Sequence, residues 1–481
     1  MADTLWTCED IEAATGGRAS RPFTATGLSI DTRSIRPGEL FVALADRRDG
    51  HEFVDAAFAA GAAGALVSRH VDAEGPVLIV DDVLDALKDM AVAARARSPA
   101  IRTAVTGSVG KTSVKEMLAR IYAAAGPAHW PEKSFNNHWG VPLTLARMPE
   151  ATARAIFEIG MSTPGEIAPR SRLVRPHHAL ITKIAPAHLE GVGSIEGVAD
   201  EKADIFAGLE AGGTIIVPED DVFRERLARQ GRAACPTASL ESFGTAREAT
   251  ARLVSVDTDG VSSRAEIEVA GHRAKVELAA VGEHWAMNAT AALLMATLTG
   301  IKLGDAADAL RGFGPPPGRG TAQALALPYG GTALLVDDSY NANPESMRAA
   351  LEALGERRAP RRLAALGEML EIGDGTREAH AGLAGAVEAA GVTEVFLAGE
   401  AMGALEEALA PGIGCTRAAD ADSLEEKVKN SLRDGDVLLI KGSNASGMGR
   451  LADALRDWSR EASASVMGSG AERTARGQDA V

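Results

Sequence analysis

The stretch Ala104–Ala125, AVTGSVGKTSVKEMLARIYAAA, decides how the rest of the chain is read. A short apolar run, Ile101 to Val105, has the composition of a buried strand, and the loop Thr106-Gly107-Ser108-Val109-Gly110 follows it directly. Beyond Lys111 and Thr112, the apolar residues Val114, Met117, Leu118 and Ile121 recur at i, i+3, i+4 and i+7, the period of an amphipathic helix. Strand, glycine-rich loop, Lys-Thr and helix together make a phosphate cradle. Glycines let backbone N–H groups close around phosphate oxygens, and the helix N-terminus adds unpaired donors at the positive end of its dipole. Lys111 can then reach the β- and γ-phosphates, and the Thr112 hydroxyl can hold Mg²⁺. The strict pattern would put glycine at position 105. Val105 stands there and the glycine falls at Gly107, so this is a shortened form, TGSxGKT.

Composition bounds the rest. A chain of 481 residues suggests about three domains. Hydrophobic residues make up 46% and charged residues 24%, the balance of a soluble globular protein. The net charge of −16 argues against generic nucleic-acid binding, which needs a basic surface, but leaves room for a nucleotide in a local pocket. Three cysteines, Cys8, Cys235 and Cys415, lie far apart without metal spacing, which predicts a reducing compartment and no disulfide framework. The N-terminus lacks the basic and apolar regions of a signal peptide, and no apolar run is long enough to span a bilayer. A cytoplasmic protein is expected.

Residues 1–98 read as a small α/β domain. Strands are predicted at Leu40 to Leu44, Ala65 to Val67 and Val77 to Val80, with helices from Phe53 to Ala63 and from Asp82 to Ala96. Ser29, Thr32 and Asp49 lie in polar loops beside these strands. After Ser98-Pro99 the phosphate-loop domain runs to about residue 314. It contains the polar loop Phe135 to Pro142 and the apolar strand Ala155 to Gly160, which ends in one carboxylate, Glu158. Near a phosphate loop, that carboxylate is a natural Mg²⁺ ligand or activator of metal-bound water. His188 and Lys202 both follow a strand end on the side where open α/β sheets bind ligands. Lys202, on a helix predicted over Ile195 to Leu209, gains a role only if it points into the site. The stiff segment Gly314-Pro315-Pro316-Pro317-Gly318-Arg319 marks a boundary. Residues 315–460 alternate strands and helices as a second doubly wound sheet. Residues 461–481, rich in Ser, Gly, Ala and charge, are expected to be disordered.

Taken in order, VTGSVGKTSVKE, NNHWGVPLTL, EIG, AHLEG, EKADIF, GEHWAMNATAA, PPGR, DDSYNANPESM, LGEMLEIG and VLLIKGS resemble the Mur ligases of peptidoglycan synthesis over about residues 25–455. The run DDSYNANP points to the branch that adds D-alanyl-D-alanine to UDP-MurNAc-tripeptide. The resemblance implies an α/β chain of three domains. These are a small N-terminal UDP-sugar domain, a central P-loop domain with a mainly parallel sheet, and a C-terminal Rossmann-like domain. It implies that Thr106 to Thr112 bind ATP phosphates and that Thr112, Glu158, His188 and Lys202 hold Mg²⁺, with Lys202 carbamylated. His284 and Asn288 would lie on the adenine side, Arg319, Asp338 and Tyr340 against the nucleotide, Asn341 and Asn343 against the dipeptide. Ser29, Thr32, Asp49 and Asn137 would serve the UDP-sugar. A monomer is expected. Two positions depart from the pattern: Lys183 replaces the commoner Asn, and Asn444 stands where an Arg usually follows Lys-Gly-Ser.

Three other readings stay open at this stage. One is a Mur-type ligase for another amino acid, including the polyglutamate and cyanophycin types. The others are a nucleotide-switched binding protein and a P-loop kinase, which leaves the outer domains unexplained.

Overall fold

The phosphate-loop strand, Ile101–Thr106, lies inside a nine-stranded sheet. The order is His272–Leu278, Ser263–Val269, Ala251–Thr258, Ser239–Gly244, Thr214–Pro218, His178–Ile181, Ile101–Thr106, Arg154–Glu158, Ala128–His129. Pairing is parallel from Ala251–Thr258 to the Ala128–His129 edge. Central strands such as Thr214–Pro218 are buried at every residue, as strands covered on both faces must be. The other edge is antiparallel. There Ser263–Val269 buries every second residue, with Ala265 and Ile267 inward, and turns through Ala270 and Gly271, both at positive φ. That is the geometry of a tight two-residue hairpin. This computed structural model describes residues 3–186 and 189–476.

The helix predicted after the loop is Lys111–Ala125, and Val114, Met117, Leu118 and Ile121 are its buried stripe. It packs against Glu283–Leu298, an Ala-rich helix buried nearly all round.

N-terminal to this lies a five-stranded sheet, parallel except for its Arg18–Ala19 edge. Its core is continuous with the central one. The helix Val83–Arg97, capped by the Asp82 carboxylate, presses Leu87, Met90 and Ala94 into a cluster that also holds Val141, Leu143 and Phe157. Trp6 Nε1 donates to the Ala146 carbonyl at 2.9 Å, and Arg147 Nε to that of Leu28 at 2.8 Å. Removing one such buried Leu or Met typically costs about 2–5 kcal/mol, so these two units are joined by core packing and not by a linker alone.

The C-terminal sheet has six strands, in the order Thr321–Ala326, Thr332–Asp338, Val437–Lys441, Arg362–Gly367, Val392–Ala398, Gly414–Ala418. Only the first pair is antiparallel. Separate apolar clusters cover its two faces, one around Leu351, Leu366 and Val395, the other around Leu363, Phe396 and Leu438. That is the doubly wound arrangement expected.

Three local expectations need correction. The helix expected from Phe53 to Ala63 is a 3-10 turn, Gly50–Phe53, followed by Val54–Ala59, because Asp49 caps the early turn and Gly61 takes φ 94°. The helix expected to reach Leu209 tightens into a 3-10 turn after Ala203. Residues 461–481 are expected to be disordered, yet within the described residues one helix runs Met448–Arg476, and 477–481 lie outside them. The Ser463 hydroxyl bonds the Ser459 carbonyl one turn back, Ala462 is buried, and Ala, Glu and Arg favour helix. No helix of the described residues is long and apolar enough to cross a membrane.

Candidate active site

Parallel pairing sets Val105 beside Glu158 and Thr106 beside Ile181, so loops after three adjacent strands converge at one carboxyl edge. The phosphate loop leaves that edge with Gly107 at φ 146° and Gly110 at φ 85°. A Cβ on Gly107 would lie 1.9 Å from the Thr182 hydroxyl, and one on Gly110 2.6 Å from Asn288 Oδ1. Only glycine fits this cradle. The Thr182 hydroxyl bonds the Thr106 and Val109 carbonyls. Ser108 is held through its amide to the Lys183 carbonyl at 2.8 Å and through its hydroxyl to that of Ala185 at 2.8 Å. Lys111 folds back, its Nζ 2.6 Å from the Gly107 carbonyl. Burial pushes its ammonium below the usual range; Glu158 opposes that shift and Arg319 adds to it.

Glu158 is the buried anion beside the loop. Its carboxylate accepts from Thr112 Oγ1 at 2.9 Å and Asn136 Nδ2 at 2.8 Å. A hydroxyl and a carboxylate in contact are an oxygen donor set that suits a hard cation such as Mg²⁺. Asn136 is a residue the sequence reading passed over in favour of Asn137, whose Oδ1 accepts the Gly140 amide and begins the next helix. Nothing in the sequence separates it from Asn137; the fold does, since a Cβ on Gly160 would meet Asn136 Cγ at 2.8 Å.

Lys202 is fully buried on the helix Ile195–Ala203. Its neighbour Glu201 accepts the amides of Gly165, Glu166 and Ile167, which start the helix Ile167–Val174, and so fixes where Lys202 stands. Burial, and next the charge of Lys111, push its ammonium well below the usual lysine range. A neutral amine is the form that adds CO₂, so the residue fits the expected carbamate. His188 lies outside the described residues.

His284 and Asn288 occupy the first turns of Glu283–Leu298. Burial, with a contribution from Lys441, pushes His284 down to about 4, so its imidazole is neutral at neutral pH. From the C-terminal sheet, Asp338 pairs with Lys441 Nζ at 2.7 Å, and the same ammonium donates to the Asn341 carbonyl at 2.9 Å. Burial raises the Asp338 carboxyl despite Lys441. Lys441, the lysine of KGS, had been assigned no role. Asn343 caps the helix Pro344–Gly355, its Oδ1 accepting the Ser346 amide, which leaves its NH₂ to meet a ligand. Arg319 stacks over the Tyr340 ring at 4.0 Å.

Apart from Lys202, which is buried and is not a lining residue, these groups share one cavity of about 990 Å³, lined from the central unit by Ser108 to Thr112, Asn137, Glu158, His284 and Asn288. The C-terminal unit lines it with Arg319, Asp338, Tyr340, Asn341 and Asn343. Ser29, Thr32 and Asp49 are not among its lining residues. They sit at the carboxyl edge of the N-terminal sheet. There Ser29 turns onto Asp31, whose carboxyl the Arg33 guanidinium holds at about 2, and Asp49 clamps His51 and Arg69.

Residues 105–296 match the Mur ligase middle domain, and residues 328–444 the Mur ligase glutamate ligase domain. The chain is 35% identical over 442 residues to the UDP-N-acetylmuramoyl-tripeptide–D-alanyl-D-alanine ligase of Escherichia coli, covering 90% of this chain and 94% of that protein. The Bacillus subtilis ligase of the same name is 33% identical, with 90% and 92% covered. MurF from Acinetobacter baumannii superposes with a TM-score of 0.81 at 28% identity, covering 94% of this chain and 99% of that one. On its sequence matches and on its fold, the chain belongs to the Mur ligase family.

Proposed function

We propose that this protein joins D-alanyl-D-alanine to UDP-MurNAc-tripeptide with ATP, releasing ADP and phosphate in peptidoglycan precursor synthesis. The observation that carries this reading is the single cavity in which the phosphate loop meets Glu158 on one side and the Asp338–Asn343 loop on the other. A carboxylate resists attack by an amine, so it must first be activated. Transfer of the γ-phosphoryl group to the terminal carboxylate of the tripeptide gives an acyl phosphate. The free amine of the dipeptide then attacks the acyl carbon, and phosphate leaves. The protein's part is alignment and charge neutralisation.

Backbone amides of Gly107 to Gly110, with Lys111, would hold the phosphates. His284 and Asn288 would flank adenine, and Arg319, Asp338 and Tyr340 would close over the nucleotide. Asn341 and Asn343 would present the dipeptide. Ser29, Thr32, Asp49 and Asn137 would serve the UDP-sugar. Thr112, Glu158, His188 and a carbamylated Lys202 would hold two Mg²⁺ ions, which supply positive charge to the transferring phosphoryl group. Units at 1–98, 99–314 and 315–460 would carry UDP-sugar, ATP and dipeptide, in a cytoplasmic monomer.

The test is mass spectrometry of the product from UDP-MurNAc-tripeptide, ATP-Mg²⁺ and D-Ala-D-Ala. The pentapeptide precursor is expected. Equal ADP release with glutamate, lysine or diaminopimelate in place of the dipeptide would favour another Mur-type ligase and refute this reading.

A further inference from the structure

Lys183, which departs from the family pattern, stands at the carboxyl end of the strand His178–Ile181 and ion-pairs with Glu345. Glu345 is in the first turn of Pro344–Gly355, on the C-terminal unit. This ion pair joins the central and C-terminal units. Two long hydrogen bonds also cross between them, from Glu190 N to the Glu371 carbonyl at 3.5 Å and from Arg357 Nη1 to the Gly260 carbonyl at 3.5 Å.

Both ends of the pair are rigidly held. The Lys183 carbonyl accepts the Ser108 amide of the phosphate loop, and the next amide, of Ile184, donates to Asp221 at 2.9 Å. Glu345 lies one residue into a helix closed by the Asn343–Ser346 capping box, where its negative charge also suits the helix dipole. Anchored backbones lower the entropy cost that normally cancels a surface ion pair. Both side chains line the nucleotide cavity.

We propose that Lys183 and Glu345 form an electrostatic clasp that holds the C-terminal unit closed over the nucleotide, with Lys183 a positioning residue that acts through Glu345. An Asn at position 183, the commoner residue in the pattern the chain resembles, carries no charge and could not form it. The inference rests on the nucleotide reading of the cavity.

The test is a double-mutant cycle with two readouts: ADP-Mg²⁺ affinity by calorimetry, and radius of gyration of the nucleotide-free chain by X-ray scattering. Lys183→Ala and Glu345→Ala should each weaken ADP about two- to five-fold, the range of a half-exposed pair, and the double variant should be no weaker than either. The charge-reversed pair K183E/E345K should recover most of the loss. Raising salt from about 50 to about 500 mM should erase the differences. Each single variant should scatter as a more open particle. If Lys183 instead binds phosphate directly, Glu345→Ala binds ADP as well as or better than the parent and the reversed pair is not rescued; that outcome overturns the clasp. A parent chain that binds no ADP refutes the nucleotide reading, and the scattering of the single and reversed variants still decides the clasp.

Discussion

Asn136 tests how the anion beside the phosphate loop is held. Glu158 is 1% exposed and has two side-chain partners, Thr112 Oγ1 at 2.9 Å and Asn136 Nδ2 at 2.8 Å. Each is a hydrogen bond to a buried charge, worth about 1.5–3 kcal/mol. Asn136→Leu keeps the volume, removes the donor and bars water from replacing it, so stability should fall by about 3 kcal/mol. Asn136→Ala opens space on the cavity side, and a water bound there should limit the loss to about 1–2 kcal/mol. Asn136→Asp sets one carboxylate against another, and its deficit should shrink when Mg²⁺ is added, because the cation neutralises the pair. Urea unfolding at constant m-value, with and without Mg²⁺, reads all three. Because the Asn136 amide also orients the carboxylate, kcat should fall in the leucine variant more than the ATP KM rises. If Asn136→Leu stays within about 0.5 kcal/mol of the parent, or if Mg²⁺ leaves the aspartate variant unchanged, the hydrogen bond does not hold Glu158 and the reasoning fails.

Three further outcomes follow from the site and from buried groups outside it. Gly107→Ala would drive a methyl into the Thr182 hydroxyl at a backbone angle that L side chains avoid. ADP affinity should fall at least ten-fold and stability by about 2–4 kcal/mol, and an alanine variant binding ADP like the parent would count against the cradle. Lys441→Met leaves Asp338 without its buried partner and should cost about 2–4 kcal/mol near neutral pH. That deficit should narrow on acidification, since a protonated carboxyl needs no counter-charge; urea midpoints across pH check it. His129, His178 and His284 are each pushed down to about 4 by burial. Their folded pKa lies below the unfolded value, so their contribution is fully present above about pH 6.5 and is lost as pH falls toward 4, by up to about 1.4 kcal/mol per pH unit for each histidine. A stability profile flat between pH 6.5 and 4 would contradict their burial.

The elements legible in the sequence were those whose pattern has one physical reading. Ile101–Thr106 and Lys111–Ala125 were visible because a buried strand, two glycines and a 3.6-residue stripe cannot be arranged otherwise. Glu158 was visible because a carboxylate ending an apolar strand needs a partner. Its partner Asn136 was not, because two adjacent asparagines are equivalent until the folded loop, with the Asn136 carbonyl accepting the Gly160 amide at 3.0 Å, decides which one faces Glu158. Lys441 was hidden for a related reason: its partner Asp338 is distant in sequence, and only the pairing of Val437–Lys441 with Thr332–Asp338 brings the charges together. Ser29, Thr32 and Asp49 show the opposite limit. The sequence marked them as polar loops beside strands, and they do share a sheet edge, but not the cavity that holds the phosphate loop. The placement argues for a long substrate. Under the proposed function, a sugar nucleotide anchored at the edge of the N-terminal sheet would have to extend its peptide to Lys111 and Glu158. The continuous core from Trp6 to Phe157 keeps that span fixed, whereas the C-terminal unit, with cores of its own, is the part left to move. Fixed reach on one side and a closing unit on the other suit a reaction in which a tethered carboxylate waits for a second substrate.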